Sequence, residues 1–275
     1  MTIEPFFLER SPHRLFSVYC PPAAPARGGV LYIHPFAEEM NRSRRMAALM
    51  SRALSQAGWG VLSVDLLGCG DSSGDFGDAR LEEWQADVRA GLDWLCNRHE
   101  GPVTVIGLRL GAALAAQAAL DAPEMVDRLV LWQPVTSGKT MLTQFLRIRV
   151  AAAITGGGGN GPETTQSLRD RVQAGEAVEV AGYEISPDLA RGLDGLELAA
   201  LIPPSSIPVN WLEIATEPDK PVSPGAARII DTWRAAGCTI EAETIVGEPF
   251  WSLQETTIAP ALIARTTEIL EADGS

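Results

Sequence analysis

The chain has 275 residues, 46% of them hydrophobic and 21% charged, and 22 Lys and Arg against 35 Asp and Glu leave a formal charge of −13. That length suits one large α/β domain carrying an inserted segment, and the apolar share is enough for a sizeable core. The negative balance argues against nucleic acid or another polyanion as the principal partner.

In chain order, short β-rich runs alternate with longer helical patterns, the arrangement of a mostly parallel sheet covered by helices on both faces. Residues 15–20 read as an early edge strand, 30–33 as a short apolar strand ending in His34-Pro35, and 44–57 as a helix with Met46, Leu49, Met50 and Leu54 on one side. Residues 61–64 form the next strand and run into a glycine-rich loop containing Asp65, Gly68, Cys69, Gly70, Ser72 and Ser73. Residues 81–98 carry Leu81, Trp84, Val88, Leu92 and Leu95 at helical spacing. A buried-type strand at 103–106, a tight turn at 107–111 and an alanine-rich helix at 112–120 follow. Strands at 129–132, 209–214 and 239–246 and helices at 226–236 and 259–270 complete the pattern.

Between 137 and 207 the strand rhythm stops, and a helical pattern at 141–154 leads to the run Gly156-Gly157-Gly158-Gly159-Asn160-Gly161, whose backbone has few restrictions. The expected division is a core of residues 1–136 and 208–275 with a helical cap or lid at 137–207 over the carboxyl edge of the sheet and the glycine run as a mobile loop. An ordinary surface insertion without gating is the equal alternative.

Strand, Gly107-Leu108-Arg109-Leu110-Gly111, then alanine-rich helix is the context of the nucleophile elbow, G-x-S-x-G, in which glycines permit a sharp turn that projects the central side chain. Here the central residue is Arg109. The loop with Asp65, Gly68, Gly70 and Ser72 resembles the D-x-x-G-x-G-x-S segment of α/β-hydrolases. The expected architecture is therefore the α/β-hydrolase fold, a mostly parallel central sheet with helices on both faces and an inserted helical cap.

Four stretches sharpen the resemblance: residues 35–46 (PFAEEMNRSRRM), 107–112 (GLRLGA), 181–185 (AGYEI) and 249–251 (PFW). They resemble the exosortase A system-associated hydrolases, especially the second type, found with bacterial exopolysaccharide and exosortase gene clusters. The resemblance implies a hydrolase by fold. Acyl transfer on this fold needs a nucleophile, a base and an acid that orients the base. Arg109 cannot attack, because its guanidinium stays protonated and has no lone pair for that role. The acid position falls in Thr216-Glu217-Pro218-Asp219, with Asp219 first, Glu217 second and a solvated loop charge equally expected. The base position falls in Gly247-Glu248-Pro249-Phe250-Trp251, where the superfamily supplies histidine and Pro249 has no titratable group.

The chain has three histidines, none after His99. His13 and His99 read as surface residues, whereas His34 falls at the start of the oxyanion-hole loop, with structural anchoring favoured over proton transfer. Ser72, Ser73, Ser137 and Cys69 lie near strand ends, yet turn formation and packing account for each. Backbone N–H groups of Phe36 and Leu110 could still converge on one spot, but such donors stabilise charge only after something has attacked.

Arg109 at the amino end of a helix suits a carboxylate or phosphate. An internal ion pair is favoured over that, with Glu38 and Glu39 in the neighbouring loop and Asp219 across from it, because a buried arginine without a partner is costly. Arg42, Arg44 and Arg45 add a positive cluster. Phe36, Trp251 and residues 141–154 could wall a site for an acyl or isoprenoid chain. The ligand-binding candidates are thus His34, Phe36, Glu38, Glu39, Arg109, Leu110 and Trp251, and the degenerate catalytic positions Arg109, Asp219 and Pro249.

Four cysteines, Cys20, Cys69, Cys96 and Cys238, are far apart without a C-x-x-C pair, so no zinc cage or disulfide framework is expected and a reducing cytoplasm is the simpler setting. Residues 1–12 lack the features of a signal peptide, and Gly107, Arg109 and Gly111 interrupt the most apolar stretch, 103–120, unlike a membrane span. No dinucleotide fingerprint, phosphate loop or metal pattern is present, so no cofactor is expected. The leading expectation is a non-catalytic or atypical accessory factor that binds an anionic or acyl ligand, with a protein partner from an exopolysaccharide or exosortase system. The alternatives are an active ester, thioester or amide hydrolase using displaced residues, and a structural interaction protein.

Overall fold

Strand and helix periodicities set the layers of the protein, which a computed structural model describes for residues 2–23, 25–101, 103–155 and 163–272. The glycine run at 156–161 lies outside the described residues. The strands are β1 (Glu4–Arg10), β2 (His13–Cys20), β3 (Gly28–Ile33), β4 (Trp59–Val64), β5 (Val103–Leu108), β6 (Arg128–Trp132), β7 (Val178–Val180), β8 (Tyr183–Ile185), β9 (Val209–Ala215) and β10 (Ile240–Val246). The helices are α1 (Glu38–Gln56), α2 (Leu81–Arg98), α3 (Leu110–Asp121), α4 (Gly138–Thr155), α5 (Thr165–Gln173), α6 (Pro187–Gly195), α7 (Pro224–Ala235) and α8 (Pro260–Ala272). Eight strands form one sheet in the order β1-β2-β4-β3-β5-β6-β9-β10. Its β1–β2 and β2–β4 pairs are antiparallel and the rest parallel.

Central strands β3 and β5 are buried along their whole length, as expected of a sheet covered on both faces. Leu31, Ile33 and Val105 pack with α2, α3 and α7 on one face, while Val30, Tyr32 and Ile106 pack with α1 and α8 on the other. This is the α/β-hydrolase architecture.

Two expectations change at the sheet's edge and at α1. The edge is β1, which covers β2; charge alternation and Pro5 in EPFFLER hid it, and both suit an edge strand that must resist further pairing. Helix α1 begins at Glu38, not residue 44, because Ala37 takes φ 50° and turns the chain directly into the helix. Glu38 and Glu39 therefore occupy its first turn, where the helix dipole favours acids, and not a loop.

Between β6 and β9 lie α4, α5, the β7–β8 hairpin and α6. The hairpin interrupts a segment expected to be without strands. Its two-residue turn, Ala181 (φ 51°) and Gly182 (φ 85°), has the positive φ pair of a tight hairpin, which accounts for the AGYEI motif. Tyr183 then packs on Phe76 and Phe145, and Phe145 on Phe36 at 5.1 Å, so aromatic edges join this segment to the strand ends. Among the described residues no helix is long and apolar enough to cross a membrane.

Candidate functional site

The elbow is built by close backbone approach. Arg109, between β5 and α3, has φ 58° and ψ −114°, a conformation that non-glycine residues rarely adopt and that only over-determined surroundings maintain. Its N–H donates to Trp132 O at 2.9 Å and its carbonyl accepts from Val135 N–H at 3.2 Å, locking the apex to the chain after β6. Gly107 and Gly111 are required here. A Cβ on Gly107 would lie 2.5 Å from Ala112 Cα, and one on Gly111 2.7 Å from His34 O.

Arg109 Nε donates to Glu39 Oε1 at 3.2 Å, and its guanidinium carbon lies 5.7 Å from the centre of the Trp251 ring. The favoured ion pair thus forms with Glu39 from the first turn of α1. Asp219, an expected partner, instead sits exposed with φ 58° in the loop after β9, and Glu217 is exposed and pairs with Lys220 at 3.2 Å. From the loop after β10, the side chain that meets Arg109 is the buried Trp251, two residues beyond Pro249.

Phe36, Glu38, Glu39 and Arg109 face Met141, Gln144, Phe145 and Ile148 of α4 across a cavity of about 110 Å³. Glu38 Oε2 and Glu39 Oε2 are buried and make no hydrogen bond among the described residues. Burial pushes both carboxyls above the ordinary range, with Arg109 pulling Glu39 the other way. Leu110 is the first residue of α3, so its N–H has no partner within the helix.

His34 does not join this group. Strand alternation turns it, like Tyr32, toward α1, where it packs edge-on to Tyr32 and its Nε2 lies 3.7 Å from Asp65 Oδ1. Asp65 is held by the fork of Arg44, at 3.2 and 2.7 Å. Gly70 permits this, since a Cβ there would lie 2.5 Å from Arg44 Nη2. The arginine cluster is therefore divided: Arg44 grips Asp65, Arg42 donates to Ser252 O at 2.8 Å, and Arg45 is exposed.

Burial drives the His34 pKa down to about 4, with Asp65 opposing. An unfolded histidine titrates near 6.5, so the unfolded chain binds more protons between those values. His34 therefore leaves stability intact above pH ~6.5 and removes about 2 kcal/mol by pH 4.5. Asp87 acts oppositely: burial raises it to about 6, so its penalty grows as pH rises toward that value. Urea unfolding of the natural protein and His34→Gln at pH 7.5 and 4.5 isolates the histidine. The natural protein should lose about 2 kcal/mol more than the variant on acidification; parallel losses would contradict a buried neutral imidazole.

The remaining groups have structural partners. His99 is half-buried against Tyr19 OH at 2.8 Å, not a solvated surface residue, and His13 opens β2. Ser72 Oγ accepts from Phe16 N–H and donates to Asp65 O, Ser73 Oγ accepts from Arg14 N–H, and Ser137 Oγ donates to Glu197. Burial pushes the Cys69 thiol upward, away from the reactive thiolate.

Two buried carboxylates went unnoticed in the sequence. Asp87, on α2 between Trp84 and Val88, accepts Leu67 N–H at 2.7 Å and pairs with Arg10. Glu213, on the same face of β9 as Trp211, accepts from Ser223 N–H at 2.7 Å, Ser223 Oγ at 3.1 Å and Trp211 Nε1 at 3.2 Å, fixing the start of α7. An acid two positions from a tryptophan in an apolar strand was the available signal. Glu213→Ala should cost about 3 kcal/mol, read by chemical denaturation, because three donors lose their acceptor; a loss below 1 kcal/mol would exclude that anchoring role.

The strand order, the elbow and the glycine-rich loop after β4 define an α/β-hydrolase-fold protein. The chain belongs to the family described as serine aminopeptidase, S33 (Hydrolase_4), which matches residues 24–192. It is similar to the mitochondrial palmitoyl-protein thioesterase ABHD10 of Rattus norvegicus, 29% identical over 117 residues, covering 42% of this chain and 37% of that protein. The match thus spans little more than a third of that relative's length. Similarity to the thermostable monoacylglycerol lipase of Bacillus sp. (strain H-257) is 26% over 232 residues, 82% of this chain and 78% of the lipase. Among solved structures, Est1E from Butyrivibrio proteoclasticus with bound ferulic acid superposes with a TM-score of 0.64 at 15% identity, covering 97% and 96% of the two chains. Mouse alpha/beta hydrolase domain-containing protein 10 gives 0.62 at 16% identity, covering 98% and 99%. These likenesses establish the fold.

Proposed function

We propose that this protein is a binding factor built on the hydrolase scaffold, one that holds an acyl-type ligand without cutting it through the usual serine relay. The observation that carries this reading is the elbow apex, where Arg109 is paired to Glu39 at 3.2 Å and lies beneath the Trp251 indole. A permanent cation stands at the attacking position and an aromatic ring where the superfamily's base loop arrives. The cavity's Phe36, Met141 and Phe145 suit a short acyl group of about four heavy atoms, with α4 to α6 as its cap. A free anion fits less well than the sequence suggested, because it would have to displace Glu39 from Arg109 beside a second carboxylate, Glu38. The motif resemblance supports an accessory role in a cytoplasmic exopolysaccharide or exosortase-associated system, with a protein partner from that system.

The test is fluorophosphonate labelling with a broad acyl-ester and thioester screen, on the natural protein and Arg109→Ser. The natural protein should remain unlabelled and turn over no substrate. Labelling of it would overturn the proposal.

A second reading, an ester or thioester hydrolase using displaced residues, draws on the similarity to a thioesterase and a lipase. It requires turnover that survives Arg109→Ser but is lost in His34→Gln or Asp219→Asn.

A further inference from the structure

On the α1 face of the sheet, away from the elbow cavity, a second concavity of about 240 Å³ opens between α1 and strands β2 and β4. Its walls are mostly apolar, with Phe16, Val18, Cys20 and Ala47 beside the hydroxyls of Ser51 and Ser63, and its charged end is formed by His34, Asp65 and Arg44. His34 is 6% exposed, and its Nδ1 makes no hydrogen bond among the described residues. Its Nε2, 3.7 Å from Asp65 Oδ1, is beyond hydrogen-bond range. A buried imidazole left so poorly satisfied at the edge of an apolar cavity is an arrangement that a ligand would complete.

Charge at the polar end restricts what that ligand can be. Both Asp65 oxygens are occupied by the Arg44 fork, so the two charges neutralise each other. A carboxylate or phosphate would face Asp65, and an ammonium would face Arg44. Neither charge sign is favoured. A neutral hydroxyl has no such conflict and can serve Nε2 of His34 as donor or acceptor, Nδ1 being sealed from the cavity. By volume, a cavity of 150 Å³ accommodates benzene, so this one holds on the order of ten heavy atoms.

We infer that the concavity between α1 and the β2–β4 edge is a binding site for a small neutral alcohol or phenol, its apolar body against Val18, Cys20 and Ala47 and its hydroxyl on His34. The site is separate from the elbow cavity and does not rest on the binding role proposed there.

The probe is 4-propylphenol, compared with its methyl ether and with 4-propylbenzoate. Binding is followed by calorimetry and by the imidazole ¹⁵N shifts of His34 in the natural protein. The phenol should bind and move the His34 nitrogens, while the ether, which cannot donate, and the benzoate should bind about tenfold more weakly. Ala48→Phe, at an exposed position on α1 lining the mouth, should abolish binding without loss of the fold. Arg109→Leu should leave binding unchanged, separating this site from the elbow. No binding of the phenol at its solubility limit, equal binding of the ether or benzoate, or undiminished binding in folded Ala48→Phe would each overturn the proposal. So would loss of binding in Arg109→Leu.

Discussion

Alanine at Gly107 is expected to lower the melting temperature by roughly 6–12 °C or to prevent folding outright, the consequence of about 3 kcal/mol or more of overpacking. The new methyl would collide with the carbonyl of Gly111 and with Ala112 Cα, atoms of the first turn of α3 that cannot rotate aside. Relief would require α3 to lift from β5, and α3 is buried along most of its length. Gly195→Ala is the control: at the end of α6, an added Cβ there meets nothing within 4 Å. It should be neutral or stabilise by about 0.5 kcal/mol. Thermal unfolding of the two variants reads the difference, and similar melting temperatures would mean that the elbow is not the close-packed turn described above.

Glu39→Ala should cost about 2 kcal/mol in urea unfolding. It leaves the Arg109 guanidinium, 19% exposed, with the indole face as its remaining partner among the described residues. The figure is below that for a fully buried pair because water still reaches both side chains. Arg109→Leu should cost less, since the carboxyl of Glu39, already raised by burial, can take up a proton. The double variant should be more stable than the sum of the two losses predicts, by about 1 kcal/mol or more. Strict additivity would show that the two side chains do not support one another, and the binding proposal would lose its central observation.

The elbow was legible because Gly107 and Gly111 bracket it between an apolar strand and an alanine-rich helix, and α2 was legible to its ends because Leu81, Trp84, Val88, Leu92 and Leu95 keep one face. What escaped depends on conformation or on distant contact. The φ of 50° at Ala37, which starts α1 early, belongs to a residue type that gives no warning of it. His34 follows β3 by one residue, and alternation from Tyr32 gives its destination only once α1 is known to cover that face. The meeting of Trp251 with Arg109 joins loops about 140 positions apart. Motif positions could nominate both residues, but only the assembled sheet, with β5 and β10 in place, brings them together.

Trp251 over Arg109 also constrains which substitutions the elbow tolerates. Placing serine at 109 would strand Glu39 without its counter-charge and leave a hydroxyl under an indole that accepts no proton. Placing histidine at 251 alone would set an imidazole against a guanidinium. Each single substitution toward a serine relay is therefore unfavourable by itself, and building a proton-relaying elbow on this chain requires coordinated changes at 39, 109 and 251.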